Sequence, residues 1–456
     1  MLKKNEVYPV TITGYTTEGL GVCRIDGQVV FVHGALEGEQ ADVLILKVGK
    51  NEAYAKIKTL HVASPHRIAP DCPYDKFCGG CALRHMTYEE ECRMKSQRVR
   101  DAMTRIGGID PGEVPILAAE ETENYRNKAI FPVAMLNGQA DAGFYRARTH
   151  DLIAAETCKI QSLSAAALRT AAVSWMRKYH IPVYDETKHK GLVRHIYVRN
   201  AFGTGQVMAC LVVNGKSVPH EQELVQLLRD AEPNLTTVVL CENTRKGNAI
   251  LGSEFRTLFG PGTVDDTLCG LTFRLSPRSF YQVNRQQAQR LYDLAISRAE
   301  LQKTDTVLDL YCGTGTITLC MAKACGKAIG VEIIEAAIAD AKENAKRNRM
   351  ENAEFFCGDA GFAAKKLAED GVRPHVVTVD PPRKGLSPDV IEAIGAMAPR
   401  RVVYVSCNPA TLARDVARFR DIGYGLRSVD CADLFPRCHH VESVAVLESE
   451  VTECSQ

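Results

Sequence analysis

The chain has 456 residues, 45 % of them apolar and 24 % charged, which supplies enough hydrophobic material for packed cores and is too long for one ordinary domain. Its 56 Lys and Arg against 55 Asp and Glu give a net charge of +1, which excludes a uniformly basic nucleic-acid wrapper but not a local basic patch. The 17 cysteines are odd in number, no apolar signal stretch follows MLKKNEVYPV, and no apolar run approaches membrane length. A secreted disulfide framework and a membrane span are therefore not expected, and the expected setting is the reducing cytoplasm.

Residues 1–60 alternate in short runs, Tyr8–Gly14, Gln28–Val32 and Ala41–Lys47, between glycine turns. That pattern predicts a small antiparallel barrel. Residues 61–87 carry prolines and cysteines with little periodicity, as in a loop held by ligands. Cys72, Cys78 and Cys81 stand at C-x5-C-x2-C spacing, and Cys158 lies further on. Three close thiols and a distant fourth can enclose either zinc or an iron–sulfur cluster, and spacing does not separate the two. From Tyr88 to about Ile106 the chain is charged and helix-prone, with Gly107-Gly108 as a stop. Between 125 and 275 strand-like and helical runs alternate, predicting a mixed α+β domain.

Beyond about 276, apolar strands alternate with helices: Thr306–Leu310, Ala328–Glu332, Val376–Asp380 and Arg401–Ser406. Such runs predict a parallel sheet buried on both faces, with ligands beyond the carboxyl ends of its strands. The first end, VLDLYCGTGTITL, turns through Gly313 and Gly315, and acids follow at Glu332, Asp359 and Asp380. A dinucleotide fingerprint would need glycine where Thr318 stands, so a nucleoside cofactor without pyrophosphate fits better, and S-adenosylmethionine is the common one. RVVYVSCNP delivers Cys407 to the same edge, where a thiol can act as a nucleophile, although a cysteine can also be a small core residue. Glu442, in RCHHVESVAVL, opens another apolar run and points to the same region if that run is a sheet strand.

These residues resemble the S-adenosylmethionine-dependent RNA uracil-5 methyltransferases. The matching pieces, in the family's order, are SFYQVN (Ser279–Asn284), DLYCGTG (Asp309–Gly315), DPPRKG (Asp380–Gly385), SCNP (Ser406–Pro409) and HVESV (His440–Val444), with the barrel and cysteine segment upstream. The resemblance implies three parts: a TRAM-like barrel (1–60) of oligonucleotide-binding type, a central α+β domain (61–275), and a Rossmann-like α/β methyltransferase domain (276–456). The helix near 88–106 would pack on the last of these. Gln282, Tyr311, Glu332 and Asp380 would line the cofactor pocket, with Asp359 at the adenine, Cys407 as nucleophile and Glu442 as base. Thr316 stands where some relatives have Asn, so that contact is not carried over. Cys72, Cys78, Cys81 and Cys158 would hold a [4Fe–4S] cluster, with zinc as the rival occupant.

The resemblance over the full length, barrel included, implies 23S rRNA as substrate, with the T-loop of tRNA as runner-up. Adenine-N6 methylation would want an aromatic residue where Arg383 stands, and a non-catalytic RNA-binding protein would not need Cys407 and Glu442 together. No membrane and no obligatory protein partner are expected. With RNA as the substrate class, the acid-free run 188–200 (KHKGLVRHIYVRN), with Lys188, Lys190, Arg194 and Arg199 around Tyr197, is expected to touch it.

Overall fold

A computed structural model describes residues 2–450. In the N-terminal part, alternation of inward and outward residues gives a six-stranded sheet that departs from the expected all-antiparallel pairing at one place, where Gln28–His33 runs parallel to Glu52–Val62. Its order is Val7–Thr11, Gln40–Val48, Glu52–Val62, Gln28–His33, Gly21–Ile25, Gly14–Tyr15. Ile12, Val30, Val32, Val43 and Ile45 point inward as its own core. Polar contacts fasten this unit to the helix Tyr88–Arg105: Tyr15 donates to Glu90 at 2.6 Å and Arg93 reaches Glu37 at 2.5 Å.

The central sheet runs Glu254–Phe259, Leu235–Glu242, Gln206–Val213, Val193–Ala201, Lys128–Leu136, Gln139–Ala142. The helices Leu163–Lys178 and Glu221–Ala231 cover one face around the fully buried Trp175. On the opposite face, Tyr197, Met208 and Cys210 share a core with Phe273, Tyr281 and Leu291 of the following segment. Strand Val193–Ala201 is therefore enclosed on both sides, which corrects the expected RNA contact there. Arg194 and Arg199 are only 4 % and 2 % exposed. Arg194 donates to the carbonyls of Asn243 and Arg245, and Arg199 to Tyr197 Oη and the carbonyl of Ser279, each bond at 2.7 or 2.8 Å.

The third sheet has eight strands in the order Ala353–Cys357, Lys327–Glu332, Thr306–Leu310, Val376–Val379, Arg401–Ser406, Glu442–Ser449, Tyr424–Ala432, Ile116–Leu117. The first five run parallel, and the inner strands Thr306–Leu310, Val376–Val379 and Arg401–Ser406 are buried along almost their whole length by the helices on both faces, whereas the edge strand Ala353–Cys357 is largely uncovered. The chain order reverses between Thr306–Leu310 and Val376–Val379, the switch point where such sheets open a ligand crevice. Glu442–Ser449 pairs antiparallel to Arg401–Ser406, so its first residue lies at the same edge as the ends of its neighbours. Two early segments complete this unit. Val99 and Met103 of helix Tyr88–Arg105 join the core of Leu412, Val416 and Phe419, and Ile116–Leu117 pairs with Cys431–Ala432 as an edge strand that the sequence did not suggest. Lys95, fully buried, anchors the helix by bonds of 2.7 Å to both Glu91 and Asp433. Among the described residues no helix is long and apolar enough to cross a membrane.

Candidate active site

The first strand end turns sharply. Tyr311 adopts φ +72°, rare for a residue with a side chain, while its amide and that of Cys312 both donate to Val331 O at 3.0 Å. Gly315 has φ +81°, and a Cβ there would stand 2.9 Å from Phe355, so only glycine fits. Glu332 grips the turn, accepting from Gly313 N at 3.3 Å and from Ile334 N at 3.0 Å. Beneath it, the buried Asp309 accepts from Thr318 Oγ1 at 2.5 Å and leaves its other oxygen unpartnered. Burial pushes the Asp309 carboxyl up to about 7, with Asp380 and Glu332 adding to the shift.

Asp359 caps helix Ala360–Glu369 by accepting from Gly361 N and Phe362 N. Around Glu332 and Asp359 the apolar side chains of Ile333, Ile334 and Phe362 stand exposed, Phe362 by 70 %. Sequence reasoning missed this apolar rim; the available signal was large apolar residues directly after acidic strand ends. Gln282 lies in the turn before helix Arg285–Ala299, its carbonyl accepting from Asn127 Nδ2 at 2.8 Å. Among the described residues, no hydrogen bond ties its side chain to the strand ends.

The reacting pair is set by strand register. Ser406 pairs with Ser443 in the antiparallel ladder, so Cys407, one residue on, faces Glu442, one residue back. The DPPRKG loop is fastened beside them: Asn408 Nδ2 donates to Arg383 O at 3.0 Å, and Asp415 accepts from Leu386 N and Tyr404 Oη, both at 2.8 Å. Gly385, at φ +74°, passes so close to Asp415 that a Cβ would sit 2.4 Å from its carboxylate.

Burial raises the acids that line this cleft. Burial pushes Asp380 up to about 7. Burial also raises Glu442 well above the carboxylate range, Asp380 adding to it and Arg383 opposing it. The Cys407 thiol is raised by burial and by the charges of Glu442 and Asp380, with Arg383 again opposing. Arg383 is thus the cation that favours both charged forms. Sequence reasoning gave it no such part.

Cys72, Cys78, Cys81 and Cys158 line one cavity of about 450 Å³, together with a fifth thiol, Cys438, and with Arg84, Arg126 and Lys128. Cys438 donates to Gly80 O at 3.2 Å and accepts from Arg126 Nη2 at 3.9 Å. Among the described residues, no three His, Cys, Asp or Glu side chains converge as a metal's ligands would. Arg84 is 3 % exposed, and its Nε and Nη2 have no partner; nor has Arg126 Nε. The described cysteines are free thiols, and Cys210, Cys241, Cys269, Cys312, Cys320 and Cys431 fill apolar cores.

The sheet order and the residues at its ligand-facing edge define an S-adenosylmethionine-dependent methyltransferase fold. The crystal structure of a Pyrococcus abyssi tRNA (uracil-54, C5)-methyltransferase in complex with S-adenosyl-L-homocysteine aligns with a TM-score of 0.76 at 23 % identity, covering 96 % of this chain and all of that one. Residues 87–450 match the tRNA (uracil-5-)-methyltransferase family and residues 2–58 match the TRAM domain. Relatives described as uncharacterized RNA methyltransferases in Clostridium tetani and Caldanaerobacter subterraneus subsp. tengcongensis are 40 % and 42 % identical. Each match covers 98 % of this chain and 97 % or 99 % of the relative. The chain belongs to the tRNA (uracil-5-)-methyltransferase family and is an RNA methyltransferase of that type with an N-terminal TRAM domain.

Proposed function

We propose that the protein acts in the cytoplasm and transfers the methyl group of S-adenosylmethionine to C5 of a specific uridine in 23S rRNA, through a covalent bond between Cys407 and uracil C6. The observation that carries this reading is the strand register that sets Cys407 against Glu442 at the edge holding Asp380. Uracil C5 is a weak carbon nucleophile, and direct attack on a sulfonium would be slow. The Cys407 thiolate adds to C6, which breaks the C5–C6 double bond and makes C5 an enolate carbon able to take the methyl group. The sulfonium loses that methyl and becomes a thioether. Glu442 then accepts the C5 proton, the double bond re-forms, and Cys407 leaves as thiolate. Loss of the thiol proton at the start is favoured once a cationic cofactor offsets the neighbouring carboxylates. The target base must leave its stack to reach this depth.

In this reading Gln282, Tyr311, Glu332 and Asp380 hold the cofactor. Asp359 meets the adenine edge, and Ile333 and Phe362 flank its faces. Cys72, Cys78, Cys81 and Cys158 hold a [4Fe–4S] cluster, with zinc the alternative. Support comes from the all-thiol donor set and from the buried, unpartnered guanidinium atoms of Arg84 and Arg126, which suit an anionic group. When bound, the cluster supplies a cross-link between the 72–81 loop and Cys158, because methyl transfer needs no electron.

A second reading, modification of tRNA, is favoured by the Pyrococcus abyssi structural neighbour, a tRNA (uracil-54, C5)-methyltransferase. Mapping 5-methyluridine in rRNA and tRNA from cells with and without the protein separates the two. Loss of a 23S rRNA site supports the first, loss of a tRNA site the second, and no loss in either sinks both.

A further inference from the structure

Beside the Cys407 and Glu442 edge lies a positive group with no use in the steps above. Arg98, on helix Tyr88–Arg105, is half-buried and donates to the carbonyl of His439 at 2.8 Å. Arg383 leans on the His440 ring, its Nη2 standing 3.4 and 3.5 Å from the two ring nitrogens. The rings of His439 and His440 lie 4.2 Å apart, and Phe435 meets His440 edge-on.

The two guanidinium groups repel. Burial and then Arg383 weaken the hold of Arg98 on its proton, while burial, His439 and the arginines bring His440 down to about 4. Among the described residues neither arginine has a carboxylate within ion-pair distance. Lys95, close by, is already committed to Glu91 and Asp433. Glu18 of the barrel faces His439, and Glu442 faces Arg383 from the reacting edge, where Asp380 acts on Cys407. Two neighbouring cations, one half-buried and without a counter-charge, are costly to hold together unless an anion completes the group. Arginine's planar fork fits the oxygens of a phosphate.

We propose that Arg98, Arg383 and His440 form a phosphate subsite that takes the RNA phosphodiester adjoining the target uridine and so sets the base over Cys407. This rests on the reading of Cys407 as the group that meets the base. His439 holds Arg98 in place through its carbonyl, and neutral His440 adds a ring N–H. Arg383 has two uses: it binds the phosphate and favours the thiolate. Arg98 has no part in favouring the thiolate, so it is the cleaner residue to change.

The test uses the full chain and two probes. First, uridine and its 3′- and 5′-monophosphates are compared for slowing alkylation of Cys407 by iodoacetamide, followed at that peptide by mass. A monophosphate is expected to protect at roughly tenfold lower concentration than uridine, an advantage that Arg98→Gln removes and Arg98→Lys largely keeps. Second, the affinity of a short oligouridylate is followed by anisotropy across a salt series. Arg98→Gln is expected to lower the slope of log affinity on log salt by about 0.7, the mark of one lost phosphate contact on single-stranded RNA. S-adenosylhomocysteine binding verifies that each variant is folded. Equal protection by uridine and both monophosphates, or a folded Arg98→Gln protein with the wild-type slope, overturns the subsite. Both readouts are independent of methyl transfer. A phosphate preference without any 5-methyluridine formation would therefore fault the proposed reaction and leave the subsite standing.

Discussion

Binding of S-adenosylmethionine is expected to release a proton, so its affinity climbs with pH. Burial lifts the Asp380 carboxyl from its ordinary 3.8 to about 7, so the empty protein carries it protonated through the mildly acidic range. The cofactor brings a sulfonium and an ammonium, and a cation within about 4–6 Å favours the carboxylate. If the bound form returns Asp380 to near 4, the binding constant rises about eightfold from pH 5 to 6 and about fivefold from pH 6 to 7, and levels off above. From pH 5 to 8 the gain is about 90-fold, or roughly 2.7 kcal/mol. In the absence of cofactor the same carboxyl works the other way. The folded state keeps a proton that the unfolded state has lost, so its contribution to stability falls as pH rises from about 4 to 7. Isothermal titration at several pH values, repeated in two buffers of different ionisation enthalpy, counts the protons directly. About one should be released near pH 6 and almost none near pH 8, and Asp380→Asn should flatten the profile. A flat affinity in the wild-type chain, with no proton released near pH 6, would refute the placement of Asp380 against the cofactor's positive charge.

Three further outcomes follow from other parts of the molecule. Cys407→Ala should bind cofactor normally and form no covalent adduct with RNA, whereas Glu442→Gln should accumulate one, seen as a denaturation-resistant band on a gel; turnover by the alanine variant would end the nucleophile assignment. Lys95→Met leaves Glu91 and Asp433 buried without their cation and should cost about 3–5 kcal/mol, read from the urea midpoint. Anaerobically purified protein should be brown with one cluster per chain, and Cys158→Ser should lose the colour; colourless wild-type protein with stoichiometric zinc would replace the cluster by the metal.

What the sequence disclosed was local. Continuous apolar runs ending in Glu332 and Asp380 marked the strands and their ligand-facing edge, because burial on both faces leaves an unbroken hydrophobic signature. The barrel was legible from alternation, since one of its faces meets solvent. Arg194 and Arg199 misled for the complementary reason: charge suggests exposure, yet carbonyl acceptors brought by Asn243, Arg245 and Ser279 take part of their N–H groups inside the core, leaving Arg194 Nε and Arg199 Nη1 unpartnered. Ile116–Leu117 is too short to carry any period. Cys438 and Arg98 carried no local signal at all. Each acquires its neighbours through contacts spanning more than 300 residues, with Gly80 and His439 respectively.

The placement of helix Tyr88–Arg105 and strand Ile116–Leu117 on the last sheet has a consequence for the chain as it leaves the ribosome. Lys95 meets Asp433 across 338 positions and Tyr88 meets it across 345. At about 5–20 residues per second, the helix waits roughly 20 to 70 s for its acceptor, with Lys95 paired to Glu91 alone and Val99 and Met103 uncovered. During that interval the barrel and the central sheet are already synthesised. The unit that performs the chemistry is thus begun before the central sheet and closed after it, and a chain halted before Asp433 leaves its opening helix as an adhesive surface for chaperones or aggregation.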